Sequence, residues 1–208
     1  MSPLDLRKSL RKYFIMGSQN CDRDPKQILK EAIAAGITAF QYREKGTGSL
    51  TGFQKYILGK QLRDICRYYH VPFFVNDEVE LAQVLEADGI HVGQDDLSPT
   101  DLRRKFPNKW IGLSISNNQE LSASPIDCVD YLGVGPIFAT TTKEDAKPPV
   151  GTTWISEVKQ RYPNMPIVGI GGISTQNANS VIEAGADGVA VISAITRAND
   201  IQEAVVQL

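Results

Sequence analysis

The sequence predicts an α/β protein in which eight strand–helix units close into a single (β/α)8 barrel. Three observations support this prediction. Short β-rich runs alternate with helical runs from one end of the chain to the other. The apolar spacing changes between about 2 and about 3.6 residues at each boundary. The length, 208 residues, falls in the range that such barrels occupy as one domain. A doubly wound open sheet is the alternative for the same alternation.

The candidate strands are short and are separated by helical runs. In chain order they are Tyr13–Met16, Ala39–Tyr42, Phe73–Val75, Gly89–Val92, Trp110–Leu113, Tyr131–Val134, Ile167–Ile170 and Gly188–Ile192. An internal echo favours the closed barrel, because Glu86–Val92 resembles Glu183–Val191 about half the chain away. Two similar half-barrels would leave such an echo, and we expect residues 1–208 to form one barrel domain.

The helical runs carry apolar residues at a spacing of three or four. A short leading helix is expected within Met1–Lys12, which is charged and amphipathic. Asn117–Asp127 is a weaker candidate, because Pro125 interrupts it. The remaining helices are Pro25–Ala35, Leu50–Tyr69, Val79–Glu86, Pro99–Lys105, Thr153–Arg161, Gln176–Ala184 and Ile201–Gln207.

Composition and charge exclude several classes of protein. The net charge is −2, so there is no basic footprint for nucleic acid. No apolar run approaches the roughly 18 residues that a membrane span requires. Three widely spaced cysteines without a CxxC pair argue against a zinc site or a disulfide framework. We expect a cytoplasmic protein without nucleic-acid or membrane partners, and the sequence leaves open whether it forms a homo-oligomer.

Basic side chains follow the second candidate strand. In a barrel of this kind the loops after the strands form the active site. Alternation along Gln41-Tyr42-Arg43-Glu44-Lys45-Gly46 places Gln41, Arg43 and Lys45 on one side. Arg and Lys together suit a polyphosphate, since one supplies paired donors and the other a point charge. The alternative is an exposed strand end whose charges Glu44 offsets.

Carboxylates follow the third and fourth candidate strands, in Val75-Asn76-Asp77 and Gly93-Gln94-Asp95-Asp96. Mg²⁺ is usually held by one or two carboxylates, with water and a substrate phosphate completing the octahedron. The sequence therefore predicts a Mg²⁺ site at Asp77 and Asp96. As alternatives, Asp77 caps the next helix, and Asp95 is a solvated neighbour of Asp96.

Two further segments have the chemistry of anion sites. The run from Gly133 to Lys143 starts as a buried strand, breaks at Gly-Pro, and then presents three threonine hydroxyls and an ammonium. A solvated loop is its alternative reading. Gly171-Gly172 and Ile192-Ser193 follow the last two strands, where barrel enzymes often bind phosphate through backbone N–H groups. Two phosphate-recognising ends predict a substitution in which a diphosphate leaves with help from Mg²⁺.

The remaining polar candidates carry weaker signals. Ser114 and Ser116-Asn117-Asn118 follow the fifth strand, where a plain helix N-cap cluster is the alternative. The two histidines are poor catalytic candidates. His70 comes at a helix end. His91 sits within a strand, as a core residue or one behind the site.

Five separated motifs resemble the thiamine-phosphate synthase family. They are Gln41–Gly46, Val75–Asp77, Gly89–Asp96, Gly133–Lys143 and Ile170–Ile173, and the resemblance extends from Tyr13 to the final helix. It implies a (β/α)8 barrel that joins hydroxymethylpyrimidine diphosphate to hydroxyethylthiazole phosphate, giving thiamine phosphate and pyrophosphate. The implied route is a pyrimidine carbocation, which the thiazole nitrogen attacks after the diphosphate departs.

The resemblance also implies roles for the matching residues. Arg43, Lys45, Ser114 and Lys143 would act on the diphosphate, and Gln41 and Asn76 would complete that pocket. Asp77 and Asp96 match the Mg²⁺ ligands. The thiazole phosphate side would comprise Thr140, Thr142, Gly172, Ile192 and Ser193. The chain departs from the family at Ile115-Ser116-Asn117, where the family usually has a small residue and His-Thr.

Two rival functions remain open. A thiazole tautomerase of the same barrel family acts on a monophosphate and needs no diphosphate clamp. A non-catalytic barrel that senses thiamine intermediates would bind both ligands without releasing pyrophosphate. Both rival functions are disfavoured because the chain has the full set of predicted diphosphate and metal residues, namely Arg43, Lys45, Asp77, Asp96 and Lys143.

Overall fold

The computed structural model describes residues 3–142 and 147–208, with side chains from Leu6 onward. Eight parallel strands close into a barrel in sequence order, and the last strand pairs with the first. The strands are β1 (Lys12–Met16), β2 (Ala39–Tyr42), β3 (Phe73–Asn76), β4 (Gly89–Val92), β5 (Trp110–Ile115), β6 (Tyr131–Val134), β7 (Ile167–Ile170) and β8 (Gly188–Val191). This topology confirms the predicted (β/α)8 barrel and rules out the open sheet.

Helices alternate with the strands throughout. They are α1 (Pro3–Ser9), α2 (Pro25–Ala35), α3 (Gly52–Tyr68), α4 (Val79–Val84), α5 (Pro99–Lys105), α6 (Asn118–Ala123), α7 (Thr153–Arg161), α8 (Ala178–Glu183), α9 (Ser193–Thr196) and α10 (Ile201–Val206). Two short 3-10 turns occupy Ser18–Asn20 and Ile126–Cys128. None of these helices combines the length and the apolar character needed to cross a membrane.

Local sequence explains where the helices begin and end. The Asp24 carboxylate accepts a hydrogen bond from the Lys26 N–H at 3.0 Å, and Pro25 begins α2 with a backbone angle that suits a helix. Gly36, with φ of 102°, then ends α2 in the left-handed conformation. These signals lie within a few residues of each boundary, so the predicted α2 matches the observed one.

The predicted helix over Asn117–Asp127 divides into two pieces. Helix α6 ends at Ala123, and Ser124 is extended, with φ of −84° and ψ of 141°. The residue before a proline avoids the helical region, so Ser124 does not continue α6. The predicted weakness of this helix is thereby explained.

Two apolar clusters stabilise the barrel, one between the strands and the surrounding helices and one inside the ring of strands. The inner cluster includes Tyr13, Phe74 and Tyr131. It also includes Leu6 and Leu10, which come just before β1, so α1 closes the amino-terminal end of the barrel. A cavity lies at the opposite end, where the carboxyl ends of the strands meet.

Candidate active site

A cavity of about 260 Å³ opens at the carboxyl ends of the strands. Every strand, or the loop that follows it, contributes to its lining. Eleven of the predicted site residues lie there: Arg43, Lys45, Asn76, Asp77, Asp96, Ser114, Thr140, Thr142, Gly172, Ile192 and Ser193. The topology thus brings together residues that the sequence spreads over about 150 positions.

Two predicted residues are not among these eleven. Gln41 is buried inside the barrel, where its Nε2 donates a hydrogen bond to the Tyr13 hydroxyl at 2.9 Å. Lys143, predicted to act on the diphosphate, lies outside the described residues.

The loop after β2 is not the exposed, self-neutralised strand end of the alternative reading. Arg43 is 6% exposed and Glu44 only 4%. The Glu44 carboxylate accepts hydrogen bonds from the backbone N–H groups of Ser18 at 2.9 Å and Leu50 at 2.7 Å, and also from the Ser18 hydroxyl. Glu44 therefore joins the segments that contain Ser18 and Leu50 by hydrogen bonds, while Arg43 and Lys45 line the cavity.

Asp77, Lys45 and Asp96 form a charged group at one side of the cavity. The Lys45 Nζ lies 2.6 Å from Asp77 Oδ2, and the Gly93 N–H donates to Asp96 Oδ2 at 2.7 Å. Burial is the largest single effect and lowers the pKa of Lys45, but the hydrogen bond to Asp77 and the charges of Asp77 and Asp96 together raise it more, so the net shift is upward. Asp77 does not cap α4, whose N-cap is Glu78 with no side-chain hydrogen bond.

The pKa of Asp77 is also raised, although a simple ion pair with Lys45 would lower it. Burial is the main cause, and the neighbouring Asp96 carboxylate adds to it. We therefore regard the group as two crowded carboxylates with too little positive charge between them. A divalent cation would relieve this crowding.

The donor set fits Mg²⁺. Two hard carboxylate oxygens face one cavity, and the described residues contain no cluster of three His, Cys, Asp or Glu side chains that could hold a metal alone. Mg²⁺ commonly binds through one or two carboxylates plus substrate phosphate and water. Asp77 and Asp96 match that pattern.

The opposite side of the cavity is built from backbone. The loop after β6 runs beside the end of β7, where the N–H of Ile137 donates to Ile170 O at 2.8 Å and that of Phe138 to Gly171 O at 3.1 Å. Thr140, Thr142 and Gly172, which follow these paired segments, all line the cavity. Ser193, which begins the four-residue helix α9, completes this side.

Only glycine fits at position 172. Its φ is 67°, in the left-handed region. A Cβ there would also lie 2.6 Å from Ala139 O and 2.7 Å from Phe138 O. The close approach of the two loops therefore depends on the missing side chain.

Comparison with known proteins identifies the family. The family model described as thiamine monophosphate synthase matches residues 12–195. The chain belongs to this family. A thiamine-phosphate synthase of Oceanobacillus iheyensis is 62% identical over 199 residues, covering 96% of this chain and 97% of that protein. One from Bacillus cereus is 51% identical over 208 residues, covering 100% of this chain and 95% of the other.

A solved structure agrees with this assignment to the thiamine monophosphate synthase family. Thiamine phosphate pyrophosphorylase from Pyrococcus furiosus superposes with a TM-score of 0.86 at 33% identity, covering 98% of this chain and 95% of that one. The fold and the family are thus both shown, and the resemblance found in the five motifs is confirmed.

The segment that departs from the usual pattern of the thiamine monophosphate synthase family has a clear structural role. Asn117 is the N-cap of α6, as the N-cap reading predicts, and its Oδ1 accepts from the Glu120 N–H at 2.9 Å. Glu120 in turn accepts from the Ser116 N–H at 2.7 Å and pairs with Lys147 at 2.6 Å. Ser116, Glu120 and Lys147 all line the cavity.

Sequence reasoning missed Glu120 and Lys147. The spacing Asn117-x-x-Glu120 is that of a capping box, so a search for this pattern would have found the glutamate. No sequence pattern predicts the contact between Lys147 and Glu120. The two residues follow different strands, and only the folded barrel brings them together.

Proposed function

We propose that the protein condenses hydroxymethylpyrimidine diphosphate with hydroxyethylthiazole phosphate to give thiamine phosphate and pyrophosphate. The bond between the pyrimidine methylene carbon and the diphosphate oxygen breaks, and its electron pair leaves with the pyrophosphate. The lone pair of the thiazole nitrogen then forms the new C–N bond. Membership of the family, with 62% identity to a thiamine-phosphate synthase, supports this reaction.

One observation about the site carries the proposal: the cavity has two unlike ends. Arg43, Lys45, Asp77 and Asp96 make one end highly charged, whereas the end near Gly172 offers hydroxyls and backbone groups. A diphosphate and a monophosphate would suit these two ends respectively. A tautomerase that binds a single monophosphate has no use for the charged end.

At the charged end, Arg43 would hold the diphosphate with paired donors, and Lys45 and the Ser114 hydroxyl would add single ones. When bound, Mg²⁺ would neutralise charge that develops on the departing diphosphate, and Asp77 and Asp96 would hold it. Asn76, at the end of β3, would contact the same substrate. The assignment of Lys143 to this end rests on the motif resemblance.

At the other end, the hydroxyls of Thr140 and Thr142 and the backbone at Gly172, Ile192 and Ser193 would bind the thiazole phosphate. A phosphate site after the last two strands, beside a short extra helix, is common in barrels of this kind. Gln41 would serve the pyrimidine side from beneath the cavity lining, through the hydrogen bonds that it makes inside the barrel.

The decisive experiment measures pyrophosphate release with both substrates and Mg²⁺, each omitted in turn. We expect release only when all three are present, with an equal amount of thiamine phosphate. Arg43→Met should abolish release, whereas Arg104→Met, which alters a 76% exposed side chain on α5, should not. Binding of both substrates without release would instead support the sensor, and isomerisation of the thiazole phosphate alone the tautomerase.

A further inference from the structure

Five side chains form a continuous hydrogen-bonded row from the barrel interior to the cavity. Gln41 Nε2 lies 2.9 Å from the Tyr13 hydroxyl, which lies 3.0 Å from the Tyr131 hydroxyl. The Tyr131 hydroxyl is 2.9 Å from His91 Nδ1, and His91 Nε2 is 2.8 Å from Ser114 Oγ. Only His91 and Ser114, at one end of this interior row, line the cavity.

The interior part of the row is buried and its phenols are protonated. Gln41, Tyr13, Tyr131 and His91 are all buried. Burial raises the pKa of Tyr13 and that of Tyr131 far above the ordinary tyrosine value, so each hydroxyl keeps one proton to donate. Because both phenols are buried next to one another, their protons are available for hydrogen bonds within the row.

Gln41 Nε2 can only donate, so the Tyr13 hydroxyl accepts from it and its own proton remains available for Tyr131. The direction that uses each phenol proton within the row runs from Tyr13 to Tyr131 and from Tyr131 to His91 Nδ1. With Nδ1 accepting, the imidazole proton is on Nε2, from which it is donated to Ser114 Oγ. The serine proton is then left to point into the cavity.

Two glycines make room for the imidazole. Gly112 pairs with His91 across β4 and β5, and Gly133 pairs with Ser114 across β5 and β6. A Cβ at Gly112 would lie 2.5 Å from His91 Nδ1, and one at Gly133 would lie 3.0 Å from His91 Cε1. The neighbouring strands thus leave space for the ring in the orientation that reaches both Tyr131 and Ser114.

We propose that His91 is a positioning residue for the synthase reaction, held by Tyr131 so that its Nε2–H fixes Ser114 with the serine hydroxyl aimed at the diphosphate. This inference deepens the proposed function and rests on it. A hydroxyl whose lone pair is already engaged presents its proton in one direction, as electrostatic stabilisation of a leaving group requires. His91 thereby acts on the reaction through Ser114.

The kinetic test uses two substitutions that separate the two ring nitrogens. A glutamine amide can occupy the place of Nε2 and still donate to Ser114, whereas the shorter asparagine amide reaches only the place of Nδ1. We expect His91→Asn to lower kcat about ten-fold or more, with the roughly 100-fold to 1000-fold cost of losing one preorganised donor as the upper bound. His91→Gln should keep most of the activity, and the KM for the thiazole phosphate should not change in either.

A double substitution tests whether His91 works through Ser114. In a Ser114→Ala background, His91→Asn should cause no further loss of kcat, because the group that it positions is gone. Additive losses, or equal losses in His91→Asn and His91→Gln that follow their thermal midpoints, would show a packing role only and overturn the proposal.

The tautomer can be read without any turnover. The chain has two histidines, and His70 is exposed after α3, so His70→Gln leaves a single imidazole signal. Nitrogen NMR should show that His91 is protonated at Nε2 and not at Nδ1, and Tyr131→Phe should change this signature. Protonation at Nδ1 would overturn the inference. Failure of the proposed function would appear differently, as no pyrophosphate release from the unaltered protein.

Discussion

At the scale of single residues, the two carboxylates at the opening of the cavity lower the stability of the folded protein. Asp77 and Asp96 lie close together in a half-buried site, and Lys45 balances only one of them. The raised pKa of Asp77 means that folding disfavours its ionised form, mainly through burial and further through Asp96. Active sites commonly hold such unfavourable charge because function requires it.

The change Asp96→Asn tests whether repulsion between Asp77 and Asp96 costs stability and serves metal binding. We expect the Mg²⁺ concentration for half-maximal pyrophosphate release to rise and turnover to fall sharply, since the metal loses a carboxylate. Without Mg²⁺ the thermal midpoint should stay the same or rise, because the repulsion on Asp77 is removed. A midpoint several degrees lower, or unchanged turnover at low Mg²⁺, would contradict this account.

Residue chemistry at strand ends could be predicted from sequence, because each strand end is a local pattern. Arg43 and Asp96 were found in this way. The interior row could not, since Tyr13 and Tyr131 are 118 positions apart and each reads as an ordinary buried aromatic. His91 illustrates the difference: its burial was predicted from its strand, but its contact with Ser114 depends on the register of β4 and β5.

At the scale of elements, the loops after β6 and β7 form one unit. Backbone hydrogen bonds join Ile137 to Ile170 and Phe138 to Gly171, and Gly172 fits against the carbonyls of the first loop. The threonines and the backbone phosphate site are therefore positioned by each other and should respond together to a change in either loop.

The change Gly172→Ala should separate the loops. We expect the KM for the thiazole phosphate to rise ten-fold or more, and the free energy of unfolding to fall by about 1–3 kcal/mol from backbone strain and the clash. Gly36→Ala is the matched control, because Gly36 has φ of 102° but nothing within 4 Å of its would-be Cβ. It should lower stability and leave the KM alone. An unchanged KM in Gly172→Ala would remove this loop from the phosphate site.

Capping side chains mark the starts of α2, α5, α6 and α10, but one helix has no sequence signal. Helix α9 spans four residues, Ser193–Thr196, and so carries just over one turn of apolar spacing. Its position after β8 comes from tertiary packing, with Ile195 and Thr196 buried. Periodicity needs a longer window than this helix provides.

At the scale of the molecule, the two ends of the barrel have different tasks. The carboxyl ends of the strands surround the cavity, and the amino-terminal end is closed by α1. Arg7 holds this helix through a 2.7 Å ion pair with Asp187 and a hydrogen bond to Asn164 O at 2.5 Å. In barrels of this kind, substitutions at the closed end affect stability and those at the open end affect chemistry.

The change Leu10→Ala tests this division. Leu10 is fully buried in the inner cluster, so we expect the free energy of unfolding to fall by about 2–5 kcal/mol. The kcat of the remaining folded enzyme should stay within about two-fold, since the cavity lies at the other end. Val84→Ala, at a 60% exposed position, serves as the control for denaturant unfolding. A large loss of kcat at full folding would show that the two ends are coupled.

Closure of the barrel has a consequence for refolding. Each of the eight strands is paired on both sides, so the completed ring offers no strand edge on which another chain could add. Before β8 meets β1, however, both of these strands have an open edge. Aggregation should therefore compete with refolding only while the ring is open. Yield should fall with protein concentration when refolding is slow, and a solution of the finished barrel should tolerate the same concentration.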